Sequence, residues 1–299
     1  MEKIKKIDIH AHAAAVPDMY PPLFSGERLV SAEELLEIYE KLGIEKGMLL
    51  PISSPEAQFT GLSNESQKYI ADKYPDNFLW YCNVDPRAGN NTPEADLSSI
   101  LAFYKEKGAK GVGEITANIY ADDPKMDNLF SACEELSMPA LFHMARKVGG
   151  YYGIADEVGM PRLEKMIKKH PNLTFIGHSQ VFWAEISADC SDETRGGYPT
   201  GKVTEGRIVK LMREYPNLYC DLSAGSGANA MMRDEEFAAK FFEEFSDRIM
   251  YGCDICLGVR IQRFFDFSDM LERMRKEGIL SEENYRKIVR ENAIKVFNL

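Results

Sequence analysis

An α/β fold, and within that class a (β/α)8 TIM barrel, is predicted by three observations. Eight short apolar segments recur along the 299-residue chain, each followed by a stretch in which apolar residues fall at helical intervals. Three connectors share one pattern, Tyr74-Pro75-Asp76-Asn77, His170-Pro171-Asn172 and Tyr215-Pro216-Asn217, and each lies between a helical stretch and the next strand. Proline cannot continue a helix and disfavours helix in the residue before it, so these are turns at the N-terminal face of a barrel. No glycine-rich dinucleotide fingerprint follows the first strand, which argues against a doubly wound open sheet. Barrels of about 250 residues are ordinary single domains, and no linker or low-complexity tract interrupts this chain. Residues 1–299 are therefore expected to form one domain.

The elements follow in order. Ile7-Asp8-Ile9-His10-Ala11-His12 reads as the first strand, after a charged N-terminal stretch that lacks the apolar run expected of a secretory signal. A loop with Pro17, Tyr20, Pro21 and Pro22 leads to Ser31 and Glu34, which have capping-box spacing. Leu35, Leu36, Ile38, Tyr39 and Leu42 then form one helical face, and Gly43 stands where the helix would stop. Residues 48–52 are a buried strand, 63–73 a helix and 78–84 a strand. Thr92-Pro93-Glu94 has the form of a helix start, opening a helix to Gly108, and 110–115 is the fourth strand. Helices at 126–136, 163–169, 203–214 and 237–245 precede strands at 139–143, 173–178, 218–222 and 248–254. Helices over 266–276 and 281–297 close the chain.

Composition excludes several functions. Of the residues, 44% are hydrophobic and 28% charged, as in a soluble globular protein. The net charge of −11 argues against a nucleic-acid partner. No run of 18 apolar residues is present, so no membrane span is expected. Six scattered cysteines in a chain this long suit a reducing cytoplasm. The expected partner is a small-molecule substrate, and a homo-oligomer is left open.

Barrel active sites lie at the C-terminal ends of the strands, so the residues ending each strand carry the functional argument. His10 and His12 end the first strand, two positions apart and thus on one side of it. Glu114 ends the fourth, His143 the fifth, His178 the sixth and Asp254 the eighth. Four of the five histidines sit at this face. The fifth, His170, lies in a connector at the other and is expected to be structural. Four imidazoles and two carboxylates at one mouth suit a divalent transition metal, Zn²⁺ first, with Mn²⁺, Ni²⁺ or Fe²⁺ fitting the same donors.

Taken together, His10-Ala11-His12, Gly113-Glu114-Ile115, Phe142-His143, Gly177-His178 and Gly252-Cys253-Asp254 resemble the amidohydrolase superfamily, in its amidohydrolase-related branch. The likeness runs in order from the first strand to the last. It implies that His10, His12 and Asp254 bind one metal, that His143 and His178 bind a second, and that Glu114 bridges them. Related decarboxylases use one metal without a bridging carboxylate, and in them the histidine at the position of His178 transfers a proton. Hydrolase members use metal-bound hydroxide to attack an ester, lactone or amide carbonyl, for which Asp254 is the candidate proton acceptor and donor. Glu114 favours such a hydrolase. The alternatives are a metal-dependent non-oxidative decarboxylase of an unsaturated or aromatic acid, and a barrel that binds metal or ligand without turnover.

Four further residues are candidates for holding substrate. Arg87 and Arg146 lie on loops at the functional face, where a guanidinium can grip a carboxylate or phosphate. Tyr151 and Trp183 are candidates for the pocket wall, and residues 182–204 form a loop long enough to act as a lid. Cys253 and Cys256 have redox spacing without a second pair. Residues 223–227 are glycine-rich without the lysine of a phosphate loop and read as a loop.

Overall fold

A computed structural model describes residues 4–22, 26–259 and 261–299. Residues 1–3, part of the N-terminus read above for a leader, lie outside the described residues. The strands are β1 (Lys6–Ala11), β2 (Ile44–Leu49), β3 (Phe78–Trp80), β4 (Val112–Ile115), β5 (Ala140–Ala145), β6 (Ile154–Ala155), β7 (Phe175–His178), β8 (Leu218–Asp221) and β9 (Ile249–Met250). All but β6 are barrel strands. They pair in parallel as β1-β2-β3 and as β4-β5-β7-β8-β9, with β6 a short addition beside β5. Short bridges join the two arcs at both margins. At one, Cys82 N–H donates to the Gly111 carbonyl at 3.0 Å and Gly113 N–H to the Cys82 carbonyl at 2.9 Å. At the other, Ile9 N–H donates to Tyr251 O at 3.1 Å and Asp254 N–H to His10 O at 2.7 Å. The predicted (β/α)8 barrel is the observed fold.

The helices between strands are α1 (Ala32–Leu42), α2 (Asn64–Lys73), α3 (Leu97–Glu106), α4 (Pro124–Glu135), α5 (Pro161–Lys169), α6 (Gln180–Ala184), α7 (Arg207–Glu214), α8 (Ala224–Met232) and α9 (Glu235–Phe245), and after the last strand come α10 (Gln262–Lys276), α11 (Glu282–Arg286) and the last helix, α12 (Asn292–Phe297). The capping box predicted for α1 is present in full: Ser31 Oγ accepts from Glu34 N–H, and the Glu34 carboxylate from Ser31 N–H. Ser31→Ala should therefore cost about 1 kcal/mol of stability, read as a lower urea midpoint at unchanged slope.

Two expectations are corrected. The helix predicted from Thr92 begins at Leu97, because the Asp96 carboxylate caps it by accepting from Ser99 N–H at 3.0 Å. Residues 223–227, read as a loop, instead enter α8, with Ser223 as its N-cap. Gly225, Ser226 and Gly227 are buried there, and small side chains are what close packing requires.

The core has two parts. Ile7, Ile9, Met48, Leu50, Tyr81, Leu141, Ile176 and Met250 fill the barrel interior, together with Ala293 and Phe297 from the last helix. Tyr81 and Phe297 meet edge to face at 5.4 Å. A larger shell packs the outer strand faces against the helices. The filled interior leaves the opposite, C-terminal mouth as the place where polar side chains can gather. Among the described residues, no helix is long and apolar enough to cross a membrane.

Candidate active site

The site begins with a break in β1. Ile7 and Ile9 belong to the barrel interior, so strict alternation would turn the next even-numbered side chains away from it. Pairing between β1 and β2 shifts register between Asp8 and Ala11, and such irregularities re-aim side chains next to active sites. Asp8 holds the break open. Its Oδ1 accepts from His10 N–H at 3.0 Å and from Cys253 N–H at 2.9 Å, and its Oδ2 accepts from the Tyr39 hydroxyl at 2.7 Å. Burial still pushes the Asp8 carboxyl up to about 6 against these three donors. Beyond the break, His10 and His12 face one another, their Nε2 atoms 3.1 Å apart.

Each of these imidazoles is oriented from behind. His10 Nδ1 lies 2.7 Å from Asp221 Oδ2, and His12 Nδ1 lies 2.9 Å from the Leu50 carbonyl. Both partners accept hydrogen bonds, so each ring keeps a proton on Nδ1 and turns its Nε2, the nitrogen open to a second proton or a cation, into the site. Ser223 donates to Asp221 Oδ2 at 2.6 Å, and its Oγ lies 3.0 Å from His178 Nδ1. Gly252 permits this approach. A Cβ there would stand 2.6 Å from Asp221 Oδ1 and 2.8 Å from the Ser223 Cβ.

Glu114, His143, His178 and Asp254 complete the group. His143 and His178 are paired in register across β5 and β7. His143 Nδ1 sits 2.7 Å from Glu114 Oε1, while Glu114 Oε2 lies 3.5 Å from His12 Nε2 and 3.8 Å from His10 Nε2. Asp254 Oδ1 is 3.4 Å from His12 Nε2 and 3.6 Å from His10 Nε2, and its Oδ2 is 3.8 Å from His178 Nε2. Asp254 adopts φ +57°, a left-handed conformation uncommon outside glycine. Its side chain is 25% exposed where those of His10, His178 and Glu114 are 5% or less, so Asp254 faces the opening.

The electrostatics are those of a site short of positive charge. Glu114, Asp221 and Asp254 converge on imidazoles that are neutral in free solution at pH 7. Burial alone would lower the pKa of His12, yet its bonds to Asp254 and Glu114 raise it to about 9. His10 is likewise held well above its ordinary value by Asp254 and Asp221 in spite of its burial. Burial would raise the Glu114 carboxyl, but bonds from His10, His12 and His143 keep it well below the usual carboxylate range. Protons or a cation must balance these carboxylates. Two sets of three donors could take a metal ion, His10 with His12 and Asp254, and His10 with Glu114 and His178. Within the first set the separations of 3.1, 3.4 and 3.6 Å bracket the edge of about 3.4 Å of a tetrahedron with bonds near 2.1 Å. The donor set fits a divalent ion.

The six residues expected at the mouth are thus brought together. The four candidate substrate residues are not grouped with them in one way. Arg87 is consumed by Glu56 and Asp85, at 2.6 Å to each. Arg146 reaches Asp192 only at 3.8 Å, and its buried Nε has no partner. Tyr151 is exposed, with Lys147 near its ring, whereas its neighbour Tyr152 packs against His143 with ring centroids 4.4 Å apart and the planes tilted by 42°. Trp183 is buried and donates to the Asp221 carbonyl at 2.9 Å, so it braces the strand end that holds His10. His170, as expected, is structural: it bonds Glu134 and Asp127 at 3.1 and 3.0 Å.

Asp8, Asp221 and Ser223 were missed by sequence reasoning. A signal for Asp221 existed, since it ends an apolar strand just as Glu114 and Asp254 do. Asp221 is a positioning residue. Asp221→Asn is expected to weaken metal affinity by about 10–100-fold, with turnover recovering as Mn²⁺ is raised in a titration.

A barrel whose strand ends gather imidazoles and carboxylates at one mouth defines a class of metal-site enzymes. The chain belongs to the amidohydrolase family, whose sequence profile matches residues 7–299, and it is an enzyme of that superfamily. No curated protein matches it in sequence. Among solved structures it is similar to an uncharacterized TIM-barrel protein from Bordetella bronchiseptica, at 15% identity over 99% of both chains with a TM-score of 0.69. It is also similar to 5-carboxyvanillate decarboxylase from Novosphingobium aromaticivorans, complexed with manganese and 4-hydroxy-3-methoxy-5-nitrobenzoic acid, at 20% identity over 99% of this chain and 96% of that one, TM-score 0.64. A third is a dihydroxybenzoic acid decarboxylase from Polaromonas with bound manganese and 2-nitroresorcinol, at 16% identity over 99% and 97%, TM-score 0.59.

Proposed function

We propose that the protein is a metal-dependent, non-oxidative decarboxylase of an unsaturated or aromatic acid, working with one divalent ion. The observation that carries this reading is that both three-donor sets draw on His10, whose Nδ1 is already engaged by Asp221. One free nitrogen serves one ion, so the two sets are alternatives. A single ion is the pattern of the decarboxylase members, whereas the hydrolases that Glu114 resembles use a pair. The names of the similar structures support the same direction, and the manganese bound in two of them is a reason to test Mn²⁺ before Zn²⁺.

In this reading His10, His12 and Asp254 hold the ion, with Glu114 beside them. When bound there, such an ion would supply Lewis acidity. The rest falls to the chain. Decarboxylation breaks the bond to the carboxyl carbon, leaves its electron pair on the neighbouring carbon and requires one proton there. His178 Nδ1 is held by Ser223 and Asp221, so its Nε2 is the atom that can carry a proton into the site. Asp254 Oδ2 lies 3.8 Å from that nitrogen and, being partly exposed, can exchange protons with solvent. His143 fixes Glu114, and Tyr152 covers His143 on the solvent side.

The test is a panel of hydroxybenzoic and unsaturated acids, with parallel lactones and esters, offered to Mn²⁺-loaded protein. CO2 release from an acid, with close to one ion per chain, is the expected result. Hydrolysis of a lactone or ester without CO2 release, or two firmly bound ions per chain, would overturn it.

A further inference from the structure

His10 and Asp254 belong to the same three-donor set but stand on opposite sides of the margin that joins β1 to the segment after β9. One residue lies behind both. Asp8 Oδ1 accepts from His10 N–H at 3.0 Å and from Cys253 N–H at 2.9 Å, so a single oxygen reaches from one donor to the residue before the other. The margin has few other ties at this level. Asp254 N–H donates to His10 O at 2.7 Å, and His12 N–H to Ile255 O at 3.2 Å.

What holds the carboxylate comes from outside the barrel. Tyr39 lies on α1, is 2% exposed, and donates its hydroxyl to Asp8 Oδ2 at 2.7 Å. It reaches Asp8 across Gly47, the residue of β2 paired with Asp8 in register. A Cβ at Gly47 would stand 2.3 Å from the Tyr39 hydroxyl oxygen and 2.5 Å from its ring, so a larger residue would push the ring off this path. The terminal torsion of an aspartate is broad, and two donors on Oδ1 leave the carboxylate plane free to turn. The bond on Oδ2 fixes it.

We propose that Tyr39 is a positioning residue for the metal site, acting through Asp8 to set the spacing of His10 and Asp254. Donor groups must be held within about 0.5 Å of their working places, and the 3.6 Å from His10 Nε2 to Asp254 Oδ1 depends on backbone that Asp8 holds. This role rests on His10 and Asp254 holding the ion, as proposed above, and is independent of which reaction follows.

Mn²⁺ titrations of the full chain after chelation, followed by electron paramagnetic resonance, test the role without any substrate. Tyr39→Phe keeps the ring and removes the hydroxyl. It should weaken Mn²⁺ binding by about tenfold or more, the range for losing a group that supports a ligand. Asp8→Asn keeps an oxygen for both backbone N–H groups and offers its amide N–H to the Tyr39 oxygen, so it should retain more affinity than Tyr39→Phe. Ser31→Ala controls for stability alone, since it loosens the N-terminus of the same helix through the Glu34 N–H bond. Wild-type affinity in Tyr39→Phe, or a loss no greater than in Ser31→Ala, would overturn the role. So would an Asp8→Asn protein weaker than Tyr39→Phe, which would assign the effect to charge instead of position. His10→Ala distinguishes the two levels of failure. If it loses the ion while Tyr39→Phe binds normally, the metal site stands and Tyr39 has no part in it. If it keeps the ion, the site itself lies elsewhere and the role of Tyr39 falls with it.

Discussion

Asp254→Asn is expected to lower kcat by roughly 10³-fold or more, within the range for loss of a positioned acid or base, while the barrel stays folded. The amide keeps the shape of the side chain and removes its charge. Asp254 Oδ1 stands within 3.6 Å of both Nε2 atoms of His10 and His12, and Oδ2 faces His178. One side chain thus stands beside both the donors proposed to hold the ion and the imidazole proposed to carry the proton, and its substitution removes a link in both. Far-UV circular dichroism would show the fold intact, and metal analysis would separate loss of the ion from loss of proton transfer. A variant with undiminished turnover would remove Asp254 from the mechanism.

What the sequence revealed and what it hid follow from how local each determinant is. The capping box of Ser31 and Glu34 and the Pro-Asn turns before β7 and β8 act over a few residues, so they were legible. The strand-end rule found His10, His12, Glu114, His143, His178 and Asp254 because a barrel gathers all its strand ends at one mouth. The α8 helix was misread for a local reason. Glycine and serine favour turns, and only tertiary packing against α10 and α6 makes small residues an advantage there. Asp8 was hidden more deeply. Its acidic side chain inside an apolar strand makes sense once β1 is seen to break register, because the carboxylate satisfies the backbone N–H groups of His10 and Cys253 that the break releases. The same holds for Arg87. Its place on the functional face suggested substrate binding, but the carboxylates that occupy it come from Glu56 and Asp85, and the Glu56 pairing is set by the fold.

His10→Ala should go further than any substitution at the supporting residues, leaving less than a tenth of the wild-type metal content and no measurable turnover. Both three-donor sets found among the described residues contain His10, so its loss breaks each of them. The cavity left by the ring also takes one partner each from Asp221 and Ser223, which keep only each other and His178. Removing one partner of a buried hydrogen-bonded pair costs more than the bond itself was worth. Raising Mn²⁺ should restore Asp221→Asn, whose imidazole still presents Nε2, and should not restore His10→Ala. The comparison separates a donor from its support by a single titration. If His10→Ala bound Mn²⁺ with unchanged stoichiometry, the ion would have to lie outside both sets, and the one-ion argument for decarboxylation would fall with it.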